Sequence, residues 1–300
     1  MRVVLLGTAA GGGLPQWNCA CPNCAAARAG KIPSSTQSSV AISADGERWF
    51  LINASPDLPR QIEAAPALQP RAGQTRHSPI AGVLLTNADL DHVLGLFLMR
   101  EGGRLQVHTP AGVRDALLRG LNFASVAEAF GGVDWRTPPA NESLPLLLPS
   151  GEKSGLGYRA LTLSDEPPLY AKSASRAQSV AYEITDTSTG GRLLIAPDVA
   201  SVSPGLQQAL AEADAVLFDG TFWSSDELIQ IKTSARTSEQ MGHLPISGGS
   251  LEILRNLPAR HRVYLHINNT NPLWRPDSPE RHQVEEAGVE VGHDGLEFSL

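Results

Sequence analysis

All three cysteines of this 300-residue chain fall in one short segment, Trp17-Asn18-Cys19-Ala20-Cys21-Pro22-Asn23-Cys24, with the spacing C-x-C-x-x-C. Thiolates packed this closely repel one another unless a cation neutralises them, and Zn²⁺ accepts three or four such sulfurs tetrahedrally. A disulfide would leave an odd cysteine, and an iron–sulfur cluster usually wants a fourth thiolate, which this chain lacks. The spacing therefore predicts a zinc knuckle at about 17–24 formed by Cys19, Cys21 and Cys24. Its expected role is structural, since it would pin a long loop with little core of its own. The fourth ligand has to come from elsewhere in the chain. A second set of metal-type side chains is dispersed: Asn87, Asp89, Asp91 and His92, then Asp198, Asp219 and His266. Carboxylates and imidazoles hold zinc, iron and copper alike, so residue type alone leaves the working metal open.

The elements that would bring this dispersed set together are short apolar runs bounded by Gly, Pro, Asn or Asp. Strands are expected at 3–6, 49–53, 83–86, 105–108, 158–163, 180–185, 193–196, 215–218 and 262–266, and helices at 92–100, 112–121, 204–213 and 249–257. The stretches 65–79 and 138–154 read as loops, and neither divides the chain into two self-sufficient halves, so one domain is expected over 1–300. Four of the strands run directly into the dispersed set. Aspartate often follows strands because it suits turns, and any one of the four is accounted for that way. The four together, with two histidines, point to a site beyond the carboxyl ends of the strands, where loops converge on a rigid sheet.

Bulk composition narrows the function classes. With 42% hydrophobic and 18% charged residues the chain is ordinary globular protein, and its net charge of −7 with scattered Lys and Arg offers no footprint for nucleic acid. The apolar run after Arg2 stops at Gly7, too short for a signal peptide, and no segment has the length to span a bilayer. A cytoplasmic protein with reduced thiols and no membrane association is the expectation. Monomer and homodimer are both compatible with the sequence.

Several segments carry a resemblance. Leu84-Leu85-Thr86-Asn87-Ala88-Asp89-Leu90-Asp91-His92 resembles the metallo-β-lactamase superfamily signature, a strand followed by H-x-H-x-D-H and a helix, with Asn87 and Asp89 in place of the two leading histidines. Ile195-Ala196-Pro197-Asp198 is similar to the segment carrying that superfamily's bridging aspartate, Phe218-Asp219-Gly220-Thr221-Phe222 to the acidic motif of its tRNase Z and phosphodiesterase branches, Gly242-His243 to the histidine paired with that acid, and Leu265-His266 to the last metal histidine. The resemblance implies an α/β fold, the four-layer αββα sandwich with two mixed sheets. The first metal position has lost its imidazoles, because Leu163-Ser164-Asp165 supplies no histidine either. The second position, Asp91, His92 and His266 with Asp198 shared, is intact. Open coordination places remain there, an arrangement that suits catalytic zinc or non-haem iron. Asp89 faces the vacated position, as a weak metal contact or as the cap of the following helix. Asp219 and His243 form an expected catalytic pair in which the carboxylate orients the imidazole for proton transfer; the competing reading is a His243 that only hydrogen-bonds within its loop.

The combination of this altered motif with the knuckle, Asn53-Ala54-Ser55-Pro56-Asp57-Leu58, Met241-Gly242-His243-Leu244-Pro245-Ile246-Ser247-Gly248 and His266-Ile267-Asn268-Asn269-Thr270-Asn271-Pro272 closely resembles the coenzyme PQQ biosynthesis protein B family, from near residue 1 to about 275. The resemblance implies a part in making pyrroloquinoline quinone (PQQ) from a Glu–Tyr cross-linked precursor derived from a small peptide. It further implies hydroxylation of the tyrosine ring dependent on Fe²⁺ or another divalent metal. Two other readings stand beside it: a carrier of PQQ or its precursor towards the periplasm, and a metal-dependent hydrolase of phosphodiesters. In related phosphodiesterases the fourth ligand of the structural zinc lies three residues after the last metal histidine. Here that place is Asn269, an amide and a poor zinc ligand.

Overall fold

Many strands in this chain are apolar at successive positions, which is what a sheet covered on both faces requires. In the computed structural model, which describes residues 1–171 and 179–300, the strands follow in chain order as β1 (Arg2–Gly7), β2 (Ser39–Ser43), β3 (Trp49–Ile52), β4 (Ile80–Leu84), β5 (Leu105–His108), β6 (Val133–Arg136), β7 (Ser143–Leu147), β8 (Lys153–Ser164), β9 (Ser179–Asp186), β10 (Arg192–Ala196), β11 (Ala215–Asp219), β12 (His261–Leu265), β13 (Glu290–Val291) and β14 (Glu297–Ser299). They form two seven-stranded sheets, ordered β14-β1-β2-β3-β4-β5-β6 and β13-β12-β11-β10-β9-β8-β7. Both are mixed. Strands β3 to β6 run parallel in the first sheet and β10 to β13 in the second; the other neighbours are antiparallel.

Side-chain alternation then sorts the apolar residues into three layers. Val3 and Leu5 of β1 meet Leu193, Ile195 and Leu217 of the opposing sheet in the inter-sheet core. Val4, Leu6 and Val83 turn the other way and pack under Leu58, Val113 and Phe123 from the helices Leu58–Ala64, Ala111–Asp115 and Phe123–Phe130. On the far side Leu194, Val216, Phe218 and Tyr264 are covered by Leu210, Leu254 and Val284 from the helices Pro204–Glu212, Leu251–Arg255 and Pro279–Glu286. Each such leucine or phenylalanine contributes about 1.5–3 kcal/mol on burial. The layer order is helix, sheet, sheet, helix, as the resemblance implies.

The structure corrects the element boundaries in three places. The expected loop 138–154 contains β7 and the start of β8. Strand β7 contains Pro145, but it is an edge strand with a register shift next to that residue, and an edge tolerates the missing donor. The expected helix 92–100 is broken into Leu90–Val93 and Gly95–Leu98. The cause is tertiary: Gly95 lies so close to the 54–55 backbone that a Cβ there would stand 2.5 Å from the Ser55 carbonyl oxygen. Helices Pro22–Arg28, Leu58–Ala64 and Pro279–Glu286 were not expected. Each carries a proline in its first two positions, where proline starts a helix rather than ending one.

Candidate metal centre

The parallel register of β10, β11 and β12 aligns Ala196 with Phe218 and Phe218 with Tyr264, so Asp198, Asp219 and His266 leave the sheet at one rim. Strand β4 belongs to the other sheet. Its continuation is drawn to the same rim by the Tyr182 hydroxyl, which donates to the Leu85 carbonyl at 3.0 Å, and by the Val180 amide, which donates to the Thr86 carbonyl at 2.8 Å. Asp91 Oδ2 then stands 3.2 Å from His266 Nε2 and 3.6 Å from His92 Nε2. One ligand-type atom each from Asp91, His92 and His266 lie within 4.8 Å of one another, and so do those of Asp198, His243 and His266. His266 belongs to both groups.

Two observations test whether these residues fit a cation. His92 Nε2 is buried without a hydrogen-bond partner among the described residues, a condition that costs about 1–3 kcal/mol unless something meets the nitrogen. The charge balance points the same way. Burial opposes charge on His266, yet Asp198 and Asp91 outweigh it and push its pKa up to about 10. Burial likewise works against ionised Asp91, but His92 and His266 hold its carboxyl well below the usual range. A buried centre that keeps its acids ionised and stabilises positive charge suits a divalent ion.

Residues that the sequence reading did not single out for the site position its ligands. Asn53 follows β3 with a left-handed backbone, φ 62°, a conformation asparagine tolerates better than most side chains. Its Oδ1 accepts from the Thr86 amide at 2.9 Å, while its Nδ2 lies 3.1 Å from His92 Nδ1. The available signal was an asparagine directly after a strand, within the segment 53–58 that carries the family resemblance.

At the altered first position, Asn87 Nδ2 donates to Asp198 Oδ2 at 2.9 Å and Asn87 Oδ1 accepts from the Asp89 amide at 2.9 Å. An amide thus holds the aspartate that the superfamily pattern shares between two ions. Asp89 precedes the helix Leu90–Val93, but its side chain makes no capping bond, and it lies outside both ligand groups on the cleft wall. Its carboxyl is open to solvent yet walled by protein; this partial desolvation, with the Asp198 carboxylate next, raises its pKa to about 6. Asn87→Ala is expected to free Asp198 and weaken metal affinity at this centre about tenfold, as loss of a ligand's hydrogen-bond partner does. Titration against a competing chelator measures this; unchanged affinity would mean that Asp198 is held by other contacts.

Asp219 is fully buried at the end of β11, and its Oδ2 takes the His243 Nδ1 contact at 2.8 Å together with the Val199 amide at 2.8 Å. Burial disfavours the charged form of both partners, but their mutual attraction prevails: the Asp219 pKa is lowered and that of His243 raised. The pair expected from the sequence therefore exists as a contact. Beside the pair lies a cleft of about 340 Å³ whose lining includes Asn87, Leu169, Asp198, Arg236, Met241 and His243.

The knuckle also assembles. Cys21 caps the helix Pro22–Arg28, accepting from the Cys24 amide at 3.5 Å, and the Gln16 amide donates to Cys24 Sγ at 3.3 Å. The Asn269 side-chain amide reaches all three sulfurs, at 3.2 Å from Cys19, 3.6 Å from Cys21 and 3.3 Å from Cys24. Burial and the neighbouring sulfurs raise the Cys21 thiol to about 11, the repulsion that a cation would relieve. Trp17, at the start of the knuckle segment, is 86% exposed and does not line the cleft. Trp274 is buried and donates to the Asn268 carbonyl at 2.8 Å, a packing role.

Comparison with known proteins agrees with this architecture. The family model described as a beta-lactamase superfamily domain matches residues 48–267. The chain is 42% identical to the coenzyme PQQ synthesis protein B of Rhodopseudomonas palustris, covering 100% of both chains. It is similar in structure to Zn²⁺-bound PqqB from Methylobacterium extorquens, with a TM-score of 0.89, 40% identity and 100% of both chains covered. A diphosphatase from the PhnP family shares the fold at 18% identity and a TM-score of 0.68, covering 99% of this chain and 97% of that one. With full-length identity at this level and the beta-lactamase domain spanning its centre, the chain belongs to the coenzyme PQQ synthesis protein B family.

Proposed function

We propose that this protein acts in PQQ biosynthesis as a metal-dependent enzyme, and that it hydroxylates the tyrosine ring of a Glu–Tyr cross-linked precursor. The observation that carries the reading is the arrangement at the rim: one complete ligand group, Asp91, His92 and His266, beside an Asp198 tied to the Asn87 amide. Two-ion hydrolysis needs two cations clamping the attacking and leaving oxygens. Here an amide stands in the pattern of one of them. Asp91, His92, His266 and Asp198 would hold a single Fe²⁺ or other divalent ion, and that ion would supply the activation of O₂ that hydroxylation requires. In the overall change a ring C–H becomes C–OH with one oxygen atom of O₂, the other leaves as water, and an external two-electron reductant balances the step.

The chain's own residues have separate tasks. His243, held by Asp219 and lining the cleft, takes or returns the phenolic proton of the substrate. Arg236 on the cleft wall offers a guanidinium to the precursor's carboxylates, which the acidic rim would otherwise repel. Cys19, Cys21 and Cys24 would hold a structural Zn²⁺; the Asn269 side chain, whose Nδ2 faces the three sulfurs, would supply its amide oxygen as the fourth ligand after a flip of the amide.

The test is metal content per chain after anaerobic purification with Fe²⁺, followed by O₂ uptake with the tyrosine-derived intermediate. One iron and one zinc per chain with O₂ consumed in step with product support the reading. Tight binding of PQQ or its precursor without O₂ consumption would overturn it in favour of the carrier, and cleavage of a chromogenic phosphodiester in favour of the hydrolase.

A further inference from the structure

The Asp219 carboxylate has a second oxygen, and it leads to a metal ligand. Oδ1 accepts from the Thr221 amide at 3.0 Å and from the Thr221 hydroxyl at 2.6 Å. The same hydroxyl oxygen lies 2.8 Å from His266 Nδ1 and 2.9 Å from the His266 carbonyl oxygen. Thr221 is buried, so these contacts face little competition from water.

Counting hydrogens decides the polarity of the chain. A threonine hydroxyl has one hydrogen, whereas a carboxylate oxygen and a carbonyl oxygen can only accept. The ionised carboxylate, at the shortest distance, takes that hydrogen in a charge-assisted bond. The Thr221 oxygen then has only lone pairs to offer His266, so the hydrogen between them must sit on Nδ1. His266 Nε2 stands 3.2 Å from Asp91 Oδ2 and shares a hydrogen with it in the absence of an ion; a bound ion would displace that hydrogen and take the Nε2 lone pair, while Nδ1 keeps its own hydrogen on Thr221.

We propose that Thr221 is a positioning residue that fixes the tautomer and ring orientation of His266, so that one buried carboxylate, Asp219, aligns His243 directly and His266 through Thr221. The inference rests on the ligand set proposed above. The backbone agrees with it. His266 sits at φ 57°, left-handed for a non-glycine residue, and such a conformation persists where its surroundings over-determine it. Thr221 holds this residue by its ring, while the Asn268 amide donates to the Thr221 carbonyl at 3.0 Å.

Thr221→Val removes the hydroxyl at nearly constant volume, and Thr221→Ser keeps it. Titration of the full-length protein with Zn²⁺ or Co²⁺ against a competing chelator reads affinity at the centre independently of turnover. Thr221→Val should bind about 10–100-fold more weakly there, with the knuckle zinc retained and most of the loss recovered in Thr221→Ser. Wild-type affinity in Thr221→Val would overturn the proposal, as would a serine variant no better than valine. Should the valine variant not fold, ¹⁵N NMR of the Zn²⁺-loaded wild-type protein decides: hydrogen on His266 Nδ1 supports the relay, and hydrogen on Nε2 overturns it. Absence of any metal binding by the wild type would instead refute the ligand set itself, a distinguishable outcome.

Discussion

His266→Ala is expected to reduce the metal content from two ions per chain to one and to cut turnover about 10³-fold while leaving the knuckle zinc in place. His266 is the residue common to both ligand groups at the rim, so its loss leaves Asp91 with His92 on one side and Asp198 with His243 on the other, with no imidazole joining them. Removing an outer partner of a ligand weakens affinity about 10–100-fold, and removing the ligand itself should exceed that. The stabilisation a catalytic ion gives is several kcal/mol, which corresponds to roughly a 10³-fold loss in rate. Elemental analysis and single-turnover kinetics measure both effects. Two ions per chain in the variant would show that the second ion is not held by this group. Ala10 donates to the Ile267 carbonyl and Ile267 to the Thr8 carbonyl, both at 2.9 Å, so the backbone around residue 266 remains anchored and the knuckle should survive.

Cys24→Ser should have a wider effect, because the knuckle supports the loop that carries His266. Cys24 is fully buried, and the 266–271 loop presents Asn269 to its sulfur and Asn269 and Asn271 carbonyls to the Asn23 side chain at 3.0 and 2.8 Å. A serine oxygen is a far weaker zinc ligand than a thiolate, and structural zinc contributes directly to folding stability. A loss of about 3 kcal/mol corresponds to a fall in Tm of roughly 5 °C for a chain of this length. Zinc content should drop by one per chain, and affinity at the Asp91 centre should drop with it. A variant that loses zinc but keeps its Tm and its second ion would show that the 266–271 loop is held by its own hydrogen bonds, among them Asn271 Nδ2 to the Gly220 carbonyl at 3.0 Å.

The contrast between the two variants reflects how the centres are built. The knuckle closes over six residues plus one distant amide, whereas the rim centre gathers residues as far apart as Asp91 and His266, 175 positions along the chain. Local spacing carries the first in the sequence. The second was legible only as a set of strand ends, and became specific through the resemblance of its motifs.

What the sequence determined by itself was the donor chemistry and the apolar strands, while the four-layer order came with the resemblance. Three clustered thiols, the Asp91-His92 pair opening a helix and doubly apolar strands are properties of residue type and spacing, and they survive intact in the structure. The structure alone decided which partners those donors meet. The Asn87 bond to Asp198 spans 111 positions, the Asn53 contact with His92 spans 39, and Gly95 breaks a helix because of backbone 40 residues earlier. The one-letter pattern of a strand followed by Asn or Asp is the same whether the side chain turns back on its own loop or reaches across to a second sheet. Strand register and sheet-to-sheet approach choose between those outcomes, and both are set by the packing of the whole core.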